Sequence, residues 1–241
     1  MSEHIFPNIR KFFRPDPGMT FFDTDLSSAD LRIVTWEADE PEMKRWLADG
    51  KVPYVEVAKE FYRDPSITKK HRSYKLMKSL CHGTHYLGTP AGLSSRVGLP
   101  VKEVARVQGW YFERFPRIRA WQEEFKRKVR ETREVRNPFG YRIPVLGRIE
   151  DSTYRELIAW LPQSTVACLI NRIYDTIYRT APEIEVLLQV HDSIAGQFPT
   201  DLTEPCLVKI NAAARIVLPY AGPLIIPVGV KTSIDSWGEC E

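Results

Sequence analysis

Two aspartates in this 241-residue chain stand at the ends of apolar runs, where a carboxylate needs a reason. Asp25 follows Met19-Thr20-Phe21-Phe22 and opens the segment Asp25-Leu26-Ser27-Ser28-Ala29-Asp30-Leu31-Arg32. Asp192 follows Val186-Leu187-Leu188-Gln189-Val190-His191 and precedes Ile194. A carboxylate at a strand end, with backbone carbonyls beside it, suits a hard divalent cation that takes oxygen ligands. At the tip of a buried hairpin an unpaired carboxylate is costly, so Asp192 calls for a partner. Together the two could hold two Mg²⁺ ions about 3.5–4 Å apart, an arrangement that activates an attacking hydroxyl and stabilises in-line phosphoryl displacement. Each also has a plain alternative: Asp25 as a helix N-cap, Asp192 as a turn residue.

A third group lies on one stretch of helical pattern. At 100° per residue Arg72, Lys75, Lys78, His82 and Tyr86 share one arc, while Leu76, Met77, Leu80 and Cys81 share another. Such a helix buries one face and presents cations followed by two rings. From Lys78 to Tyr86 the rise is about 12 Å, enough to hold a triphosphate at one end and a base at the other. Lysine suits phosphate as a point charge, and a ring suits a base by stacking. The alternative is a basic amphipathic helix with incidental rings. Cys81, His82 and His85 invite a zinc reading, but their helical positions diverge and no fourth ligand is spaced to match.

The charge distribution agrees with a phosphate-rich partner. The formal net charge is only +3, yet no acidic residue falls between Asp64 and Glu103, where Lys69, Lys70, Arg72, Lys75, Lys78, Arg96 and Lys102 stand. A second basic cluster runs from Arg114, Arg117 and Arg119 through Lys126, Arg127, Lys128, Arg130, Arg133 and Arg136. One-signed stretches attract phosphate; a solvated helix face is the other reading. With 43% apolar and 27% charged residues the chain can bury a substantial core. No apolar run is long enough to span a membrane. Met1-Ser2-Glu3-His4 lacks the basic and apolar parts of a secretory leader. Four scattered cysteines, Cys81, Cys168, Cys206 and Cys240, fit a reduced cytoplasmic setting, the host cytoplasm if the source is viral.

The elements that must position these residues follow from pattern. Residues 7–18 are rich in Pro, Arg and Phe and end in a turn; residues 19–22 read as a strand delivering Asp23 and Asp25. Helices are expected over 31–36, from Pro41, around Val55-Ala58-Phe61-Tyr62, and over 69–86 with Thr68 as N-cap. Residues 88–100, with three prolines or glycines at Gly88, Pro90 and Gly92 and two more at Gly98 and Pro100, read as loop. Residues 101–134 are helical with a break at Pro116, 137–149 suggest a hairpin around Gly140 and Gly147, and 153–179 a long helix bent near Pro162. Two strands flank His191-Asp192; a helix over 205–217 and a strand over 224–230 complete the chain.

In this order the segments resemble the three polymerase motifs of family A DNA polymerases, particularly those of bacteriophages. The stretch from Asp25 to Asp30-Leu31-Arg32 resembles the first motif. Lys78-Ser79-Leu80-Cys81-His82-Gly83-Thr84-His85-Tyr86 resembles the fingers-helix motif, and Gln189-Val190-His191-Asp192-Ser193 the palm-hairpin motif. Tyr111-Phe112-Glu113-Arg114-Phe115-Pro116 is similar to the family's connecting helix, Asn137-Pro138-Phe139-Gly140-Tyr141-Arg142 to its Gly-Tyr region, and the stretch from Gly229 to Glu239 to its usual ending.

The resemblance implies an α+β fold, a right-hand polymerase with an antiparallel palm sheet and a mostly helical fingers insertion. It divides the chain into palm over 1–38, fingers over 39–147 and palm again over 148–241. It implies Asp25 and Asp192 as catalytic metal ligands, with the Leu26 carbonyl assisting, for two Mg²⁺ ions, with Mn²⁺ as a substitute. It implies Lys78, with Arg72 and Lys75, on the triphosphate, His82 on the incoming base, Tyr86 at the templating position and Asp30 beneath the sugar. Arg155, Gln163 and His191 would contact primer-template DNA, and dNTPs would be the substrates of DNA replication.

Departures qualify the pattern. Asp30 stands where Glu is usual, Tyr74 where an Arg is usual, Leu87 where a Gly is usual, and Ser193 where Glu is usual, as in single-subunit RNA polymerases. Only 24 residues precede Asp25, too few for the thumb and exonuclease of relatives, so a second polypeptide is expected to supply the thumb and perhaps also the exonuclease. Two other readings stay open: a single-subunit RNA polymerase, and a catalytically idle subunit that binds nucleic acid.

Overall fold

Strand and helix periods alternate along the chain as the apolar residues do. The structure, a computed structural model, describes residues 8–240, so the leader reading at Met1–His4 and the first residue of the proline-rich segment, Pro7, lie outside it. Strand β1 (Met19–Leu26) buries Thr20, Phe22, Thr24 and Leu26 on one face and turns Phe21, Asp23 and Asp25 to the other. Helices α1 (Ala29–Glu37), α2 (Pro41–Ala48) and α3 (Pro53–Tyr62) follow, the last two with proline at the first helical position.

Helix α4 (Arg72–His85) starts three residues later than expected, because His71 and not Thr68 caps it: His71 Nδ1 accepts from the Ser73 amide at 3.2 Å. Residues 88–100 are a second correction. They hold a helix, α5 (Pro90–Val97), in which the Thr89 hydroxyl accepts from the Gly92 amide and Gly98 closes the end at φ +70°. Helices α6 (Val101–Arg114) and α7 (Pro116–Thr132) meet at Pro116 as expected. The following hairpin pairs β2 (Glu134–Arg136) with β3 (Arg142–Pro144), earlier than the alternation suggested.

Helix α8 (Asp151–Thr180) continues through Pro162. Strands β4 (Glu185–Val190) and β5 (Ser193–Pro199) flank His191-Asp192. Helix α9 (Thr203–Ala213) stops before 217, and the last strand is divided: β6 (Val217–Leu218) pairs with β7 (Leu224–Ile225), while β8 (Val228–Ser233) joins the main sheet.

The main sheet is antiparallel, in the order β4-β5-β1-β8. It belongs to one compact unit, residues 8–29 with 165–240; the other unit is 30–164. In the first unit Phe22 stacks on Phe198 beneath the sheet, and Phe21, Ala195 and Trp237 form a smaller cluster on the opposite face. Val166, Leu169, Ile170, Ile173 and Ile177 supply a buried helical stripe. The second unit is helical apart from the β2–β3 hairpin, and its core gathers Met77, Leu80 and Cys81 of α4 with Val107, Tyr111, Trp121 and Leu157. Among the described residues no helix is long and apolar enough to cross a membrane, and none of the four cysteines is in a disulfide.

Candidate active site

In the sheet unit, β1 pairs with β8 as far as Leu26↔Val228, but its pairing with β5 stops at Asp23↔Ala195. Beyond that point the Thr24 hydroxyl donates to the Ile194 carbonyl at 3.0 Å and accepts from the Ile194 amide at 2.7 Å. The Leu26 amide then donates to the Asp192 carbonyl at 3.4 Å, which brings the hairpin turn beside the end of β1. Asp25 is exposed on the sheet face, and Gly229 directly opposite adds no side chain there. Asp192 is half-buried and His191 exposed, with His191 at φ +55°. That left-handed conformation costs a non-glycine residue roughly 1–3 kcal/mol, so the two-residue turn is held by its surroundings.

One carboxylate that the sequence reading delivered to the strand end without a role is well partnered. Asp23 Oδ1 accepts from the Ser193 hydroxyl at 2.5 Å and Oδ2 from the Trp237 indole at 2.9 Å. The Arg10 guanidinium lies 3.6 Å from Oδ2 and 4.4 Å above the Trp237 ring. The signal was the Asp23-x-Asp25 spacing, which puts both carboxylates on one face of a strand.

The donors near Asp25 and Asp192 are carboxylate and carbonyl oxygens, the set a hard divalent cation takes. Among the described residues no group of three or more His, Cys, Asp or Glu side chains is placed to hold a metal. Asp25, Asp192 and the Leu26 carbonyl would therefore leave coordination positions for water and ligand phosphate. Cys81 and His85 are buried in the helical core, whereas His82 is only partly so.

In the helical unit α4 divides as the 100° arc predicts. Met77, Leu80 and Cys81 are buried; Arg72, Lys75 and Lys78 are exposed, and among the described residues none of the three makes an ion pair with a carboxylate. The second basic cluster differs. Arg114 pairs with Glu42 and Glu60, Arg117 with Asp39, Lys126 with Glu123, and Arg127 with Glu124 and Glu131. For those cations the solvated-face reading holds.

His82 and Tyr86 meet edge to face with ring centroids 4.7 Å apart. Burial lowers the His82 pKa, and the Arg96 and Lys78 cations lower it further against the opposing pull of Asp30. The ring is thus neutral near pH 7, which suits stacking on a base. Burial pushes the Tyr86 phenol well up, and the Asp30 carboxylate adds to it. Asp30, His82 and Tyr86 therefore sense one another electrostatically within this unit.

The end of α4 is held by two buried glutamines that sequence reasoning missed. A helix C-terminus leaves carbonyls without partners. Gln122 Nε2 donates to the Thr84 and His85 carbonyls at 2.7 and 3.1 Å, and Gln108 Nε2 to the Thr84 hydroxyl and the Gly88 carbonyl at 3.0 and 2.8 Å. The Gly88 amide returns to the Gly83 carbonyl at 2.8 Å, and Leu87 takes φ +58° in the left-handed position where glycine is easiest. Gly83 lies against Leu93, whose Cδ2 is 2.3 Å from where a Cβ would sit. A cleft of about 460 Å³ opens beside this turn, lined by Leu87, Gln108, Phe112, Arg119, Lys126 and Arg155 among others. Gln163 is exposed on α8 in the same unit.

Comparison with known proteins places these features in a family. The profile of DNA polymerase family A matches residues 2–239. A thermostable DNA polymerase I of Thermus filiformis is 26% identical over 97% of this chain and 29% of its own length. DNA polymerase I of Rhizobium leguminosarum is 27% identical over 94% of this chain and 24% of its own. The chain thus spans under a third of the length of these relatives. In fold it resembles the POL domain of Pol1 from M. smegmatis in complex with DNA primer-template and dNTP: TM-score 0.83, 18% identity, 95% of this chain and 42% of that one.

Proposed function

Because the chain belongs to DNA polymerase family A, we propose that it carries out template-directed DNA synthesis, transferring a nucleotidyl group from a dNTP to a primer 3′-hydroxyl. The observation that carries this reading is the junction at which the Leu26 amide donates to the Asp192 carbonyl at 3.4 Å, which brings the turn that carries Asp192 beside the end of the strand that carries Asp25. Asp25, Asp192 and the Leu26 carbonyl would hold two Mg²⁺ ions, or Mn²⁺ in their place. Bound there, the ions supply charge neutralisation for the reacting phosphate and make the attacking hydroxyl easier to deprotonate.

The side chains divide the remaining work. Lys78, with Arg72 and Lys75, binds the triphosphate; their exposure, and their lack of ion pairs to carboxylates among the described residues, support this. The neutral His82 ring stacks on the incoming base, Tyr86 borders the templating position, and Asp30 excludes a 2′-hydroxyl. Arg155, Gln163 and His191 contact primer-template DNA. The fingers comprise residues 39–147, and the palm 1–38 and 148–241. Four cysteines outside any disulfide support a cytoplasmic setting. The proposal includes a second polypeptide that adds grip on duplex: of the three DNA contacts only Arg155 carries a permanent charge, so phosphate neutralisation by them is small.

Primer extension tests the reading. Mg²⁺-dependent, template-matched addition of dNTP, with rNTP added far more slowly, is expected from the purified chain, after few additions per encounter. Preferential rNTP addition would instead make it an RNA polymerase, and absence of any addition, with the fold intact, would make it an idle binding subunit.

A further inference from the structure

The two-residue turn His191-Asp192 has little of its own to fix it. His191 is in the left-handed region, and the backbone link to β1 is long, at 3.4 Å. The short contact is one residue further on, where the Ser193 hydroxyl donates to Asp23 at 2.5 Å. A hydrogen bond to a carboxylate is roughly twice as strong as a neutral one. Register explains the reach: Asp23 pairs with Ala195, so Ser193 is its diagonal neighbour on the same face, and Asp25 is the next residue of β1 on that face.

Asp23 is itself held from the other side. Its second oxygen takes the Trp237 indole at 2.9 Å. Trp237 stacks on Phe21 with centroids 6.1 Å apart, meets Phe13 edge-on at 5.7 Å, and donates its amide to the Phe13 carbonyl at 2.8 Å. With Arg10 over the ring, the carboxylate is anchored by segments near both ends of the described chain, and its side chain is 17% exposed. Both oxygens are engaged, which fixes the Asp23 carboxylate in place.

We infer that Asp23 is a positioning residue: through the Ser193 hydroxyl it holds Asp192 in register with Asp25. This rests on the reading of Asp25 and Asp192 as metal ligands given above. A residue that orients a ligand without touching the metal typically contributes about 10–100-fold in metal affinity.

The test is Mn²⁺ binding to the full chain, followed by the free-ion electron paramagnetic resonance signal, alongside the Mg²⁺ midpoint of primer extension. Ser193→Ala, which removes one oxygen from a half-buried site, is expected to weaken Mn²⁺ binding about 10-fold and raise the Mg²⁺ midpoint by a similar factor. Ser193→Thr, which restores the donor, should recover most of both. Asp23→Ala should match Ser193→Ala, and the double variant should be no worse than either alone, because the two act in series. Mn²⁺ affinity unchanged within twofold in Ser193→Ala, or additive losses in the double variant, would overturn the inference. Asp192→Asn separates the two levels: if it binds Mn²⁺ as tightly as the parent chain, the ligand assignment itself falls.

Discussion

Thr24 replaces backbone pairing with its side chain at Ile194, donating to the carbonyl at 3.0 Å and accepting from the amide at 2.7 Å. Both residues are buried, and the ladder between their strands has just ended at Asp23↔Ala195. One hydroxyl therefore satisfies an N–H and a C=O that would otherwise be stranded where β1 and β5 part, and the parting lets Asp25 and the Asp192 turn project. Thr24→Val keeps the shape and removes the hydroxyl. Leaving buried polar groups unpaired costs roughly 1–3 kcal/mol each, so urea unfolding of Thr24→Val should show a loss of at least about that size, and Thr24→Ser should show much less.

A second prediction concerns the same sheet. Gly196 pairs with Phe22 on one side and Val186 on the other. A Cβ at Gly196 would sit 2.1 Å from the Glu185 carbonyl oxygen and 2.8 Å from the Phe22 ring. Backbone cannot yield as a side-chain tip can. Gly196→Ala should cost about 3 kcal/mol or more, the upper end for overpacking, seen as a lowered urea midpoint.

The buried histidine of α4 makes stability depend on pH. His85 is fully buried, with its Nε2 2.7 Å from the Tyr111 hydroxyl, and burial drives its pKa to about 3. An unfolded histidine titrates near 6.5. Between these values the unfolded chain binds the extra proton, so the contribution of His85 is complete above about pH 6.5 and is lost as pH falls toward 3. From pH 6.5 to 5 one such group removes roughly 2 kcal/mol, and His82, shifted in the same direction, adds to it. Denaturation at pH 7 and pH 5 should show this drop, and His85→Gln should show a smaller one. Equal drops in both would mean that other groups are responsible.

Cations on α4 and α7 should behave differently. Lys78 makes no ion pair with a carboxylate among the described residues, whereas Lys126 is 3.0 Å from Glu123. A hydrogen bond to a charged group is worth roughly 1.5–3 kcal/mol. Lys78→Ala should therefore weaken dNTP binding roughly 10–100-fold while changing duplex affinity little. Equal losses in dNTP and duplex binding, measured by fluorescence titration, would make Lys78 a general DNA contact.

What was legible in the sequence followed strong periods. The apolar run from Met19 to Phe22, the 100° arc from Arg72 to Tyr86 and the apolar runs around His191-Asp192 all describe elements that the structure contains. Helix α5 was hidden because Pro90 and Gly98 were read as loop formers, when they stand at the first helical position and the closing position of a helix capped by Thr89. The last strand was split for a tertiary reason, since Val228–Ser233 pairs with β1 and Leu224–Ile225 with β6. Gln108, Gln122 and the partners of Asp23 had no local signal: each bond spans 20 residues or more. Such contacts exist only once the chain has folded.

Asp192→Asn in primer extension bears most directly on the proposed chemistry. The side chain keeps its size at a half-buried turn, so folding and duplex binding should be retained, while the loss of one carboxylate should lower the rate of nucleotide addition by well over the roughly 10²–10³-fold typical of losing one transition-state contact. Addition by Asp192→Asn within a few-fold of the parent rate would contradict the account.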